Sequence, residues 1–119
     1  MINILFGGNH KVFDGILLCL MSIVKYTSEN LNVFILTADV TELNPDYKPI
    51  KPSDAIFLDN FIKKTNLNNS VKLIKLGEDF NNWIMQSQNK LNQYTPFAFL
   101  RLFAEDIEEL PDKIIYLDI

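Results

Sequence analysis

The stretch "INILFGGNHKVFDGILLCLMSIV", residues 2–24, decides how the fold is read. Ile2–Phe6 is a short, β-rich, mostly apolar run, and Gly7, Gly8 and Asn9 punctuate it. Gly15–Val24 is an apolar run too long for a strand. Ser22 and Lys25 break its apolar surface, which predicts a well-buried helix, with Asp14 as a candidate cap for its start. A strand that turns on glycines into a buried helix sets an alternation that the rest of the chain continues.

Working outward, "NVFILT" (residues 32–37) reads as a second buried strand, and residues 38–52 as a loop rich in Pro and Asp. Ser53 or Asp54 opens a helix to about Thr65, with Ile56, Phe57, Phe61 and Ile62 spaced for one face. "VKLIKL" (71–76) alternates roughly, as a strand near a sheet edge does. "EDFNNWIMQSQNKL" (78–91) reads as a helix. Thr95 at the N-cap and Pro96 at the first helical position open another helix over residues 95–110. "PD" stops it, and "KIIYL" (113–117) is a fourth, buried strand. Strands of this kind alternating with helices predict an α/β fold. Its sheet is mostly parallel and covered on both faces, within one domain over residues 1–119.

The composition narrows the function classes. The chain has 11 basic and 15 acidic residues, a formal net charge of -4. That excludes the basic footprint needed to bind nucleic acid non-specifically. The one cysteine, Cys19, cannot form an intrachain disulfide. It lies in an apolar run and reads as a small buried hydrophobe. The N-terminus lacks the basic region of a signal peptide, and Gly15–Val24 is about half a membrane span. A soluble, cytoplasmic protein is expected.

In open parallel sheets, ligands bind beyond the carboxyl ends of the strands. That selects three loops: Gly7–Lys11, Thr37–Thr41 and Asp118 onward. Asp118 is a carboxylate delivered to the end of an apolar strand, where such folds hold metals and polar ligands. Arg101 is the only charge between Pro96 and Ala104. It either snorkels at the surface or turns inward against an anion, because an unpaired buried guanidinium is costly. Gly7 and Gly8 permit close approach of backbone to a ligand. Asn9 has an amide suited to a base edge, and Lys11 a charge suited to phosphate. His10 and Asp39 read as loop residues, and Trp83 and Tyr94 as packing residues. There is no dinucleotide fingerprint, P-loop, Ser/His/Asp set or metal-spaced Cys/His cluster.

Three separated pieces, "INILFGGN" (2–9), "YTPFAFLRLFAEDI" (94–107) and "LPDKIIYLDI" (110–119), resemble glycosyltransferase family 8. These are retaining enzymes that include glycogenin and bacterial lipopolysaccharide galactosyltransferases. The resemblance implies a GT-A-like, Rossmann-like sheet, incomplete at the C-terminus. It implies a UDP-sugar donor, a manganese (or magnesium) ion, and a saccharide, lipid-linked or protein acceptor. Asp118 matches the first aspartate of the family's DxD motif, which contacts ribose and metal. The middle position falls on Ile119, and the second aspartate would lie one position further on. Arg101 matches a helix arginine close to the nucleotide-sugar site, and Gly7 and Gly8 match small residues beside base and ribose.

Asn9 stands where many relatives have an aspartate that binds uracil, so its amide oxygen is expected to accept the N3 proton. Val12 stands where many relatives carry a tyrosine that stacks on the base. The nucleotide-sugar-binding set is therefore Gly7, Gly8, Asn9, Lys11, Arg101 and Asp118, with Asp118 also on the metal and no catalytic residue among them. On this reading the 119 residues are the N-terminal part of a longer catalytic domain and are inactive alone. The alternatives are a non-enzymatic nucleotide-binding or interaction module on the same half-fold, and a small signalling domain phosphorylated on Asp118.

Overall fold

The computed structural model describes residues 1–86 and 96–119. Four parallel strands form one sheet in the order β3-β2-β1-β4. They are β1 (Ile2–Gly7), β2 (Leu31–Ala38), β3 (Ser70–Leu76) and β4 (Ile115–Tyr116). The helices are α1 (Phe13–Tyr26), α2 (Pro52–Lys63) and α3 (Glu78–Gln86). Short 3-10 geometry at His10–Val12 leads into α1, and Pro96–Asp106 winds as a longer 3-10 helix.

The period of two along each strand sorts the core into two layers. Ile4, Phe6, Val33 and Ile35 face α1 and α2, meeting Ile16, Leu20, Leu58 and Ile62. Leu5, Leu36 and Ala38 face the other way, meeting Phe80 and Ile84 of α3 and Phe97 and Leu100. The α/β class, the parallel sheet and the helices on both faces are as the alternation predicts. β3 is an edge strand, as its alternation implies.

Local details differ from the sequence reading. Val12, not Asp14, occupies the cap position of α1, and Asp14 lies in the first turn. α2 starts earlier than Ser53, because Pro52 takes the first helical turn after Lys51. Its buried stripe is Ala55, Leu58 and Ile62, while Ile56 and Phe57 are exposed. The helix expected over 95–110 is the 3-10 helix Pro96–Asp106. Three residues per turn line up Phe97, Leu100 and Phe103 against the sheet, a spacing that suits this apolar sequence. Tyr94, the Thr95 cap and the expected helical residues 87–91 lie outside the described residues.

The fourth strand is shorter and less buried than expected. Only Ile115 and Tyr116 pair with β1, opposite Ile4 and Leu5. Ile115 is 55% exposed, because β4 has a strand on only one side among the described residues.

A loop from Asp39 to Lys51 packs over the carboxyl end of the sheet instead of standing free. Val40 and Ile50 are buried, and the Tyr47 ring meets Phe97 edge-on at 5.8 Å. Among the described residues no helix is long and apolar enough to cross a membrane.

Candidate functional site

Strand order dictates where the sheet opens. The chain steps outward from β1 through β2 to β3, then returns to place β4 on the other side of β1. The order of strands thus reverses between β1 and β4, and a crevice opens between their carboxyl ends. A cleft of ≈ 280 Å³ lies there, lined by Gly7, Gly8, Asn9, Val12, Phe97, Tyr116, Asp118 and Ile119. Four expected residues, Gly7, Gly8, Asn9 and Asp118, thus come together from opposite ends of the chain.

The loop after β1 is held from several directions. The Gly8 N–H donates to the Leu36 carbonyl at 3.0 Å. The Gly8 carbonyl accepts from the buried Thr37 hydroxyl at 2.8 Å, and that oxygen in turn accepts the Ile50 N–H at 3.0 Å. The His10 N–H donates to the Lys48 carbonyl at 3.1 Å, and its ring Nε2 donates to the Asp46 carbonyl at 3.0 Å. His10 thus pins two loops together.

Gly8 is required by proximity, not by a left-handed turn. No described residue has positive φ. A Cβ on Gly8 would meet Cγ2 of Val12 at 2.7 Å, closer than real side chains approach. Gly7 has ordinary room around it. On the opposite wall, Gly15 of α1 leaves space that the Ile119 side chain occupies.

Asn9 is 9% exposed. Its Oδ1 accepts the Lys11 N–H at 2.9 Å, capping the short turn. The turn thus uses one of the two lone pairs of the oxygen expected to accept a uracil N3 proton and leaves the other. Lys11 is exposed and does not line the cleft; what it contributes to the geometry is its backbone N–H.

Arg101 is exposed, with its guanidinium 5.8 Å from the Tyr116 ring centroid. Of its two expected placements this is the surface one, stacked on an aromatic face. Tyr116 links it to the cleft. Burial pushes the Tyr116 phenol above its ordinary pKa, the Asp118 charge pushes the same way, and Arg101 pulls against both.

Two cleft residues, Phe97 and Tyr116, were not singled out in the sequence as site residues, and Thr37, at the head of one selected loop, braces the cleft from behind. Thr37 had a usable signal, a hydroxyl at the carboxyl end of an otherwise apolar strand. Phe97 and Tyr116 are indistinguishable from core residues until the sheet order is known.

The third expected loop goes elsewhere. Asp39 and Thr41 line a separate hollow of ≈ 260 Å³ with Lys75, Gly77, Glu78 and Asn81. The Asp39 carboxylate accepts from the Thr41 hydroxyl at 2.6 Å and the Thr41 N–H at 3.1 Å. Those bonds hold its pKa below the usual carboxylate value. A larger hollow of ≈ 580 Å³ lies between α2 and the edge of β3, with walls that include Ile50, Ile56, Val71 and Leu73. Its polar lining is Asp59, Lys72 and Lys75, and it lies along the edge strand β3, outside the crevice between β1 and β4, so size alone does not make it the better candidate.

Among the described residues Asp118 is the only carboxylate lining the cleft, and it is exposed. Among the described residues no group of three or more His, Cys, Asp or Glu is placed to share an ion. Among the described residues the cleft thus offers a divalent cation one carboxylate, fewer oxygen donors than manganese or magnesium takes. Cys19 is a free, half-buried thiol with its pKa raised by burial, which makes it a poor nucleophile. Comparison with protein-family models finds no match for the chain, and comparisons with curated proteins and with solved structures likewise find none.

Proposed function

We propose that this chain is the donor-binding part of a retaining glycosyltransferase with a GT-A-like fold, and that it holds a UDP-sugar in the cytoplasm. The observation that carries the reading is the convergence of Gly7, Gly8, Asn9 and Asp118 on one cleft at the reversal of strand order. These residues come from two of the three sequence pieces that resemble the family, over a hundred positions apart in the chain.

The chemistry of the walls suits a nucleoside. Val12, Phe97, Tyr116 and Ile119 supply apolar and aromatic surface for a base. Asp118 at the rim offers acceptors to ribose hydroxyls. Arg101, exposed over Tyr116, stands where its fork is available to a diphosphate leaving the mouth. A volume of ≈ 280 Å³ accommodates a nucleoside-sized group, at the lower end of ligand pockets. The sugar and diphosphate would extend outside it. Among the described residues Asp118 is the one carboxylate of the cleft available to the divalent ion that the resemblance implies.

The lone carboxylate favours a second reading, a module that binds nucleotide without turnover. Both readings require UDP to bind. Calorimetric titration of the full chain with UDP tests that requirement. Saturable binding that weakens in Asp118→Ala is expected, and no binding of UDP overturns both. Following UDP release from UDP-sugars in the presence of manganese then separates enzyme from module.

A further inference from the structure

Asp59 of α2 shows which backbone groups of the edge strand β3 face outward. Its Oδ1 accepts the Val71 N–H at 2.8 Å, so that N–H points away from β2. Backbone direction alternates along a strand, which turns the N–H and C=O groups of Leu73 and Lys75 outward too. Among the described residues β3 has a strand on one side only, and no strand takes those groups.

Beside that edge lies the hollow of ≈ 580 Å³, with apolar walls from Ile50, Ile56 and Leu73. Ile56 is 61% exposed in it. An extended segment paired with β3 would send alternate side chains onto these walls. The side chains between them would lie on the opposite face of the sheet. Lys72 is on that face, with Ile74 and Leu76, because Val71 and Leu73 pack toward α2.

Charge decides the occupant. Lys72 and Lys75 are exposed, with no carboxylate at ion-pair distance among the described residues. Asp59, the acid lining the hollow, is already held by the Val71 N–H and by Lys63 Nζ at 2.6 Å. A second copy would bring its own Lys72 and Lys75 to the edge, and edge lysines oppose such pairing. An acidic segment is complementary to them.

We propose that the β3 edge and its hollow form a peptide-docking site, which takes an extended segment of a partner protein, acidic residues alternating with apolar ones, as an added strand. The hollow shares no lining residue with the cleft between β1 and β4, so the proposal stands whether or not that cleft holds a nucleotide.

The probes are two capped peptides, EVEVEVE and KVKVKVK. Each is titrated by calorimetry into the full wild-type chain and into Lys72→Glu, Lys75→Ala and Lys75→Pro, with thermal melts checking that each folds. EVEVEVE is expected to bind saturably and about tenfold tighter than KVKVKVK, the scale of a few cross-strand charge pairs. Lys72→Glu should erase or reverse that preference. Lys75→Pro removes an outward N–H where an edge strand tolerates proline. It should bind EVEVEVE about fivefold more weakly than Lys75→Ala, the scale of one hydrogen bond. In the wild type, bound EVEVEVE should slow hydrogen exchange at the Leu73 and Lys75 amides, a readout that needs no variant. No saturable binding of EVEVEVE, equal binding of the two peptides, or unchanged exchange at both amides overturns the proposal. So does equal affinity in folded Lys75→Pro and Lys75→Ala. Self-association of the wild type in sedimentation, lost in Lys75→Pro, also overturns it and makes a second copy the occupant.

Discussion

Replacing Thr37 with valine tests how the site loop is held. Thr37 is fully buried, and valine matches its shape, so packing barely changes. What disappears is the hydroxyl that donates to the Gly8 carbonyl at 2.8 Å and accepts the Ile50 N–H at 3.0 Å. Both backbone groups then lose their side-chain partner in a dry environment. Leaving a buried polar group unsatisfied costs about 1–3 kcal/mol, so with two such groups Thr37→Val should lose about 2–6 kcal/mol. Thr37→Ser keeps the hydroxyl and removes one methyl, a loss of about 1 kcal/mol. Urea unfolding of the three proteins gives the comparison, and marginal stability makes such differences measurable. UDP affinity should fall in Thr37→Val more than in Thr37→Ser, because the Gly8 carbonyl is no longer tethered. If Thr37→Ser is the less stable variant, or Thr37→Val matches wild type, the hydroxyl does not hold the loop.

Gly8→Ala should destabilise by about 1–3 kcal/mol through overpacking against Val12, and adding Val12→Ala should recover much of that loss in urea unfolding. No recovery in the double variant would mean that Val12 is not the obstacle. At Asp39 the folded pKa is depressed by Thr41 and, more weakly, by Lys75, so its contribution to stability is present above the unfolded value, about 3.9. That contribution fades as pH falls through the lower folded value. Thr41→Val should move the Asp39 titration, followed by NMR, back up toward the ordinary value and flatten the acid limb of the stability profile. An unmoved midpoint refutes the assignment.

Much of the fold was legible because its signals are local. Ile2–Phe6 and Asn32–Thr37 are apolar runs of strand length, and Gly15–Val24 exceeds that length, so the alternation of elements could be read directly. Where the reading slipped, another residue competed for the same role. Pro52 opened α2 ahead of Ser53, and the three-residue spacing of Phe97, Leu100 and Phe103 matched a tighter helix than the one expected. The burial of "KIIYL" was overestimated because apolar composition does not reveal how many neighbours a strand has.

For the site, chain order showed which residues stand at strand ends, and so nominated Gly7, Gly8, Asn9 and Asp118. It had no means of showing that the loops after β1 and β4 share one crevice while Asp39 lies in another, because that depends on the order of strands in the sheet. Nor did it show that Phe97 and Tyr116 form a wall, or that Arg101 rests on Tyr116 at the surface. The clearest case is Asn9. Its sequence position supplies an amide with both a donor and an acceptor. Only the folded turn, by placing the Lys11 N–H against Oδ1, shows that the amide caps the loop as well as lining the cleft. Residue type is fixed by the chain, whereas hydrogen-bonding capacity is what remains after neighbouring backbone has taken its share.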